Sequence, residues 1–181
     1  MSVRSEPRKA MPVVSVIYRE ERRFGEVLSR VDASVGPVRP AGERLPFDRT
    51  GYYEAEMGSP LYRRFLSAER PVSRDALPAI KIAMEAIEAE FSEGGKRTVN
   101  LDPGLLSPEN FILATGKNYS HRVYLGMGVF ADLTLVFRDG GYQPLPWTYP
   151  DYASEGVRSL LRELRREHMS RADAGRAISC G

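Results

Sequence analysis

Cysteine is almost absent from this chain: Cys180, next to last of 181 residues, is the only one. An internal disulfide and a cysteine-built metal site are therefore excluded. Long apolar runs are missing as well. The opening stretch "MSVRSEPRKAMPVVSVIYREERR" reaches charged residues too soon for a secretory signal, and no segment approaches the roughly 20 apolar residues of a membrane span. The chain thus reads as a soluble cytoplasmic protein with no membrane partner. An excess of one charge is missing too. The 26 basic and 24 acidic residues leave a formal charge of +2, too near balance to indicate nucleic acid as a partner.

What is present suits one globular domain: 42% of the residues are hydrophobic and 28% charged, enough for a core without staples. We expect a disordered N-terminal extension over 1–11, one domain over 12–169 and a flexible tail over 170–181. "VVSVIY" (13–18) is a β-branched run short enough for a buried strand. The spacing then turns helical through Phe24, Val27, Leu28, Val31 and Val35, and Gly36-Pro37 stops it. The stretch 37–60 is rich in proline and glycine and reads as irregular, with "ERLPF" a short edge strand. "LYRRFLSAERPV" (61–72) is a strand, after which Ser73 or Asp75 caps a helix carrying Leu77, Ile80, Met84, Ile87 and Phe91 on one face.

Further on, "RTVNL" (97–101) reads as a strand ending at Asp102-Pro103-Gly104. "SPENFILATG" reads as a short helix, with Ser107 as cap, Pro108 in the first position and Gly116 at the exit. From there the period becomes two. "HRVYL" (121–125) and "VFADLTLVF" (129–137) are strands, and Val129, Ala131, Leu133, Leu135 and Phe137 face one way. The "GMG" between them matches dinucleotide-loop spacing, but that loop must enter a helix whose N–H groups meet the pyrophosphate. Alternating residues follow Gly128, so a hairpin turn is expected and no NAD site. "TGKN" (115–118) and "GGKR" (94–97) lack the earlier glycine and the following Ser/Thr of a P-loop, so no P-loop nucleotide site is expected either.

Four strings, "PFDRTGYYEAEMG", "RRFLSAERP", "VNLDPGLLSPENFILATGKNYSHRVYLG" and "QPLPWTYPDY", resemble the prokaryotic family known as domain of unknown function 4416. The resemblance runs from about Pro12 to about His168. It implies no activity, since the family has none established; members are sometimes labelled GTP-binding, and the chain lacks the loops such binding uses. It departs from the pattern at "SAER", where an aromatic is expected before the glutamate, and at "TGK", where no glycine is expected.

Several residues are candidates for chemistry. Asp102 follows a strand end, where a carboxylate can act or hold a ligand, although "DPG" is also an ordinary turn. "KNYSHR" gathers Lys117, Ser120, His121 and Arg122, donors for an anion with one group that moves a proton near neutral pH, or else a solvated loop. Asp48, Glu54 and Glu56 supply oxygen ligands for a hard cation such as magnesium if their loop folds over the sheet. Trp147, Tyr149 and Asp151 lie in the proline-stiffened "PLPWTYPDY", a pocket wall or a brace for the last helix. That helix sets Val157, Leu160, Leu161 and Leu164 against a face of arginines interleaved with Glu163 and Glu167.

The fold expected is a single α+β domain, a ferredoxin-like βαββαβ sandwich extended by a C-terminal hairpin and a covering helix. A mixed α/β sheet with helices on both faces is the alternative. Three functions stay open. One is a binding protein for an anionic, nucleotide-like small molecule, with Asp102 and His121 meeting the Trp147–Asp151 segment around one concave site. Another is a metal-assisted hydrolase or lyase using Asp102, Glu54, Glu56 and His121. The last is a protein–protein interaction module, homo-oligomerisation included.

Overall fold

The computed structural model describes residues 3–48 and 51–179, with side chains through residue 170. The tail expected over 170–181 lies largely outside the described side chains. Along the chain run β1 (Met11–Tyr18), α1 (Glu21–Val35), β2 (Val38–Pro46), α2 (Glu54–Met57), β3 (Tyr62–Ala68) and α3 (Leu77–Glu90). There follow β4 (Ser92–Glu93), β5 (Lys96–Arg97), β6 (Val99–Leu106), β7 (Asn110–Thr115), β8 (Arg122–Gly126), β9 (Val129–Arg138), β10 (Gly141–Pro144) and α4 (Glu155–Ser179). Eight strands form one antiparallel sheet in the order β10-β9-β7-β6-β1-β3-β2, with β8 also paired to β9. β4 and β5 form a separate hairpin. This is a mixed α+β architecture with a large antiparallel sheet and four helices. No helix among the described residues is long and apolar enough to cross a membrane.

β1 lies at the centre of the sheet and is buried at every position, as its β-branched run anticipates. Its alternation divides two cores. Tyr18 packs on Phe24 of α1 with ring centroids 5.2 Å apart, and α1 packs on α3, so these helices share one face. On the other face Ile17 joins Phe47, Met57 and Leu61. Ser15 pairs in register with Asp102 and Phe65, and Phe65 meets Tyr152 at the approach to α4.

Three expectations are corrected by this sheet. "SPENFILATG" is not a helix: Asn110–Thr115 is β7, paired with β6 and β9. Its six-residue apolar run has no helical length to defend, and cross-strand burial decides the outcome. The Ser107 hydroxyl does accept the N–H of Glu109 at 3.3 Å and of Asn110 at 3.1 Å, but in a tight β6–β7 turn, not at a helix start. Second, Asp102-Pro103-Gly104 does not end a strand. β6 runs through it to Leu106, and a Cβ on Gly104 would stand 2.7 Å from both the Ile112 carbonyl oxygen and Phe111 Cζ. Glycine there seats the Phe111 ring. Third, the apolar positions of β9 do not all face one way. A register shift opposite Phe111 and Ile112 adds one residue to β9. Leu135 and Phe137 therefore join the main core while Val129 packs with Ala10, Leu77 and Leu105.

The stretch read as irregular holds β2, an edge strand with a bulge between Ala41 and Leu45. "GMG" turns β8 into β9, with Gly126, Met127 and Gly128 all at positive φ, and Val129 begins a strand.

Candidate functional site

β6 stays paired with β1 as far as Val99, but with β7 only through Gly104–Leu106. Beyond Gly104 the two strands part, and a cleft of about 830 Å³ opens between them. Its size is that of a small-molecule site. Where β7 has left, a side chain takes over: Glu88 of α3 accepts the Leu101 N–H at 2.5 Å through Oε1. Glu88 is only 7% exposed. Burial pushes its carboxyl pKa up, the nearby Asp102 charge adds to this, and the Leu101 N–H opposes it.

One wall of the cleft is set by a chain of hydrogen bonds. Arg97 donates to both carboxylate oxygens of Glu56, at 2.9 and 2.8 Å, and its backbone N–H donates to Glu56 Oε1 at 3.0 Å. Held in this fork, Arg97 donates from Nη1 to Asn100 Oδ1 at 3.0 Å. The Asn100 amide is thereby oriented, and its Nδ2 donates to Asp102 Oδ2 at 2.7 Å. Among the described residues Asp102 has no cationic partner within ion-pair distance. Glu56 is thus the far anchor of Asp102's orientation. Glu54 lies beside it in the short α2 but does not line the cleft. Among the described residues no three His, Cys, Asp or Glu side chains stand together as a metal site would require.

On the floor lies a residue that sequence reasoning missed. Arg63 of β3 lines the cleft with its side chain only 5% exposed. Its guanidinium stacks over Phe47 at 4.7 Å and Tyr152 at 5.0 Å from the ring centroids. Nη1 lies against Asp151 Oδ2 as an ion pair outside hydrogen-bonding orientation, and Nε has no hydrogen-bond partner. The buried Tyr152 hydroxyl is likewise unbonded, and burial raises its pKa.

The opposite wall is more fully satisfied. Arg122 donates to Asp132 Oδ2 at 2.8 Å, to the Lys117 carbonyl at 3.0 Å and to the Tyr149 hydroxyl at 3.1 Å. The Arg122 and Asp132 side chains are almost wholly buried. His121 Nε2 lies 3.4 Å from the same Asp132 oxygen, and its ring stacks on Trp147 at 5.0 Å. Trp147 in turn donates from Nε1 to the Leu133 carbonyl at 2.8 Å, and Thr148 Oγ1 donates to the Thr134 carbonyl at 2.5 Å. β8 pairs with β9 through Asp132 and β10 from Leu135 on, so these side chains satisfy the two residues between. At the rim Lys117 Nζ meets the Tyr52 hydroxyl at 3.2 Å and has no carboxylate within ion-pair distance among the described residues.

The structure therefore brings Asp102, Lys117, Arg122, Tyr149 and Asp151 around one cleft and sets His121 and Trp147 behind its Asp132 wall. Asp132 carried a readable signal, a charge in the middle of the largely apolar β9; Arg63 carried a weaker one, since Arg64 stands beside it in β3 and the two neighbours point to opposite faces. Glu88 and Arg97 carried none, since either residue reads as a solvated side chain. No curated protein and no solved structure matches the chain. One family's model matches residues 8–168, so the chain belongs to the family described as Domain of unknown function (DUF4416).

Proposed function

We propose that the protein binds an anionic, phosphate-bearing small molecule of nucleotide-like size in the β6–β7 cleft. Arg63 is the observation that carries this reading. A guanidinium so deeply buried is costly unless its donors are used, yet its Nε is unbonded and Asp151 satisfies it only in part. Lys117 adds a second cation at the rim, and Tyr52, Tyr53 and Tyr149 supply flat walls. Thermal-shift and calorimetric titration with inorganic phosphate, sugar phosphates and nucleoside mono-, di- and triphosphates tests it. At least one compound should bind saturably, and binding should fall in Arg63→Met and Lys117→Met. A flat response across the whole panel refutes the reading.

The strand order β6-β1-β3-β2, with α1 and α3 as crossings on one face, supports reading the N-terminal part of the sheet as a ferredoxin-like split βαβ unit. On that reading β7 to β10 and α4 extend it.

A second reading is favoured by a different observation. Tyr119, Val123, Tyr124, Leu125 and Met127 are all exposed on or beside the β8–β9 hairpin, and among the described residues β8 pairs with β9 alone. No charge or proline interrupts residues 123–131. The opposite edge, β2, is blunted by Pro40, Pro46, a bulge and several charges. A bare, uncharged edge is complementary to itself, so this reading joins two copies through β8. Sedimentation should show a dimer that Val123→Lys with Leu125→Lys dissociates; a monomeric wild type at high micromolar concentration rules it out.

A further inference from the structure

We infer that the ligand carries a protonated amine as well as its anion, and that Asp102 receives the amine. The inference rests on the anion-binding reading and assigns the other half of the same molecule. Charge is not evenly spread around the cleft. At the α3–β6 end the lining carboxyls Glu85, Glu88 and Asp102 stand against Lys81 and Arg97, and Glu56 holds Arg97 from behind the wall. Lys81 is drawn towards Glu85 at 3.6 Å, and Arg97 is committed to Glu56 in a fork. At the far end Arg63, Lys117 and Arg122 outnumber Asp132 and Asp151. A ligand with an anion alone matches only the far end and leaves Asp102, at the acidic end, without a cationic partner among the described residues.

Asp102 is the group at that acidic end prepared for a donor. The Glu56–Arg97–Asn100 chain fixes its orientation and occupies Oδ2. Oδ1 has no hydrogen-bond partner among the described residues. An ionised carboxylate only accepts hydrogen bonds, so the complementary group must donate, and a primary ammonium supplies both the donors and the charge. Tyr53 lines the cleft near Asp102, an aromatic face of the kind that attracts a desolvated ammonium. Glu88 adds a second carboxyl nearby. The ligand class is thus an amino-bearing phosphate or similar zwitterion, with the anion at Arg63 and Lys117 and the amine at Asp102.

Matched probes separate the two halves. Alkyl phosphates of two to five carbons and the ω-aminoalkyl phosphates of the same lengths differ only in the ammonium group. By calorimetry or amide chemical-shift titration, at least one aminoalkyl member should bind tenfold or more tightly than its alkyl counterpart. In Asp102→Asn that preference should shrink to threefold or less while the alkyl phosphates bind at least as tightly as to the wild type. Equal affinity within every pair overturns this inference and leaves the anion reading standing. Absence of binding by either series overturns this inference, and the anion reading falls with it when the phosphate, sugar-phosphate and nucleotide panel is flat as well. A circular-dichroism melt of Asp102→Asn checks that it folds, and if it does not, the wild-type comparison decides alone.

Discussion

Replacing Asp151 by alanine should expose how Arg63 is held. The Arg63 side chain is 5% exposed and that of Asp151 18%, so the substitution leaves a nearly buried cation without the carboxylate that pairs with it among the described residues. Removing one member of a buried ion pair costs about 3–5 kcal/mol. Phe47 and Tyr152 keep contact with the guanidinium faces, which places the loss near the lower end, at about 3 kcal/mol. For a domain of this size that is a fall of about 6–12 °C in Tm. Asp151 also accepts the Tyr152 N–H at 2.9 Å, so Asp151→Asn, which keeps an acceptor oxygen, serves as the control. In Arg63→Met/Asp151→Ala neither charge of the pair is left, and stability should return to within about 1 kcal/mol of wild type. Urea unfolding monitored by circular dichroism measures all four proteins. If Asp151→Ala loses less than about 1 kcal/mol and the double variant is no better, Arg63 is already well solvated. Arg63 then has no unmet need for an anion.

Other positions give independent checks. Gly104→Ala should lose about 1–3 kcal/mol in urea, because its new methyl meets a backbone oxygen and the Phe111 ring; an unchanged midpoint would show that β7 can move away. Gly128→Val, at φ 78° in the β8–β9 turn, should lower stability by about 1–2 kcal/mol and leave phosphate binding intact, which a paired melt and titration would show. For Glu88 the folded-state pKa lies above its unfolded value because of burial. Its contribution is therefore present in acid and is lost as pH rises through the raised folded value. Glu88→Gln should match wild type near pH 4 and equal or exceed it at pH 7; a variant that weakens relative to wild type as pH rises would contradict this assignment.

Much of the sheet was readable because its signals are local. The β-branched β1 stands where the sequence puts it, the period-two pattern of β8 and β9 gives a hairpin, and the glycines at 126 and 128 mark its turn. β7 was not readable as a strand. Ser107, Pro108 and Gly116 carry helix-end chemistry that a tight turn uses equally well, and only pairing with β6 and β9 decides between them. The site was half legible for a related reason. Asp102, Lys117, Arg122, Tyr149 and Asp151 come from segments dense in polar and aromatic residues, which draw attention in a sequence. Asp132 sits within a largely apolar strand and Arg63 beside Arg64 in another, and their meaning depends on which strands part. That parting of β6 from β7 is set by tertiary packing, with Glu88 covering the exposed backbone, and no short-range pattern announces it. Glu56 drew attention as a metal ligand, whereas in the fold it faces Arg97, 41 positions away in sequence.

The most direct test of the central claim is the arginine side-chain region of a ¹H–¹⁵N spectrum, recorded while a phosphate-bearing ligand from the titration panel is added. Arg63 Nε–H has no partner in the protein alone, whereas Arg97 Nε–H is bonded to Glu56. The Arg63 signal should shift saturably, with the same Kd as calorimetry reports, while the Arg97 signal stays in place. Saturable binding that leaves Arg63 Nε–H unmoved would contradict the account.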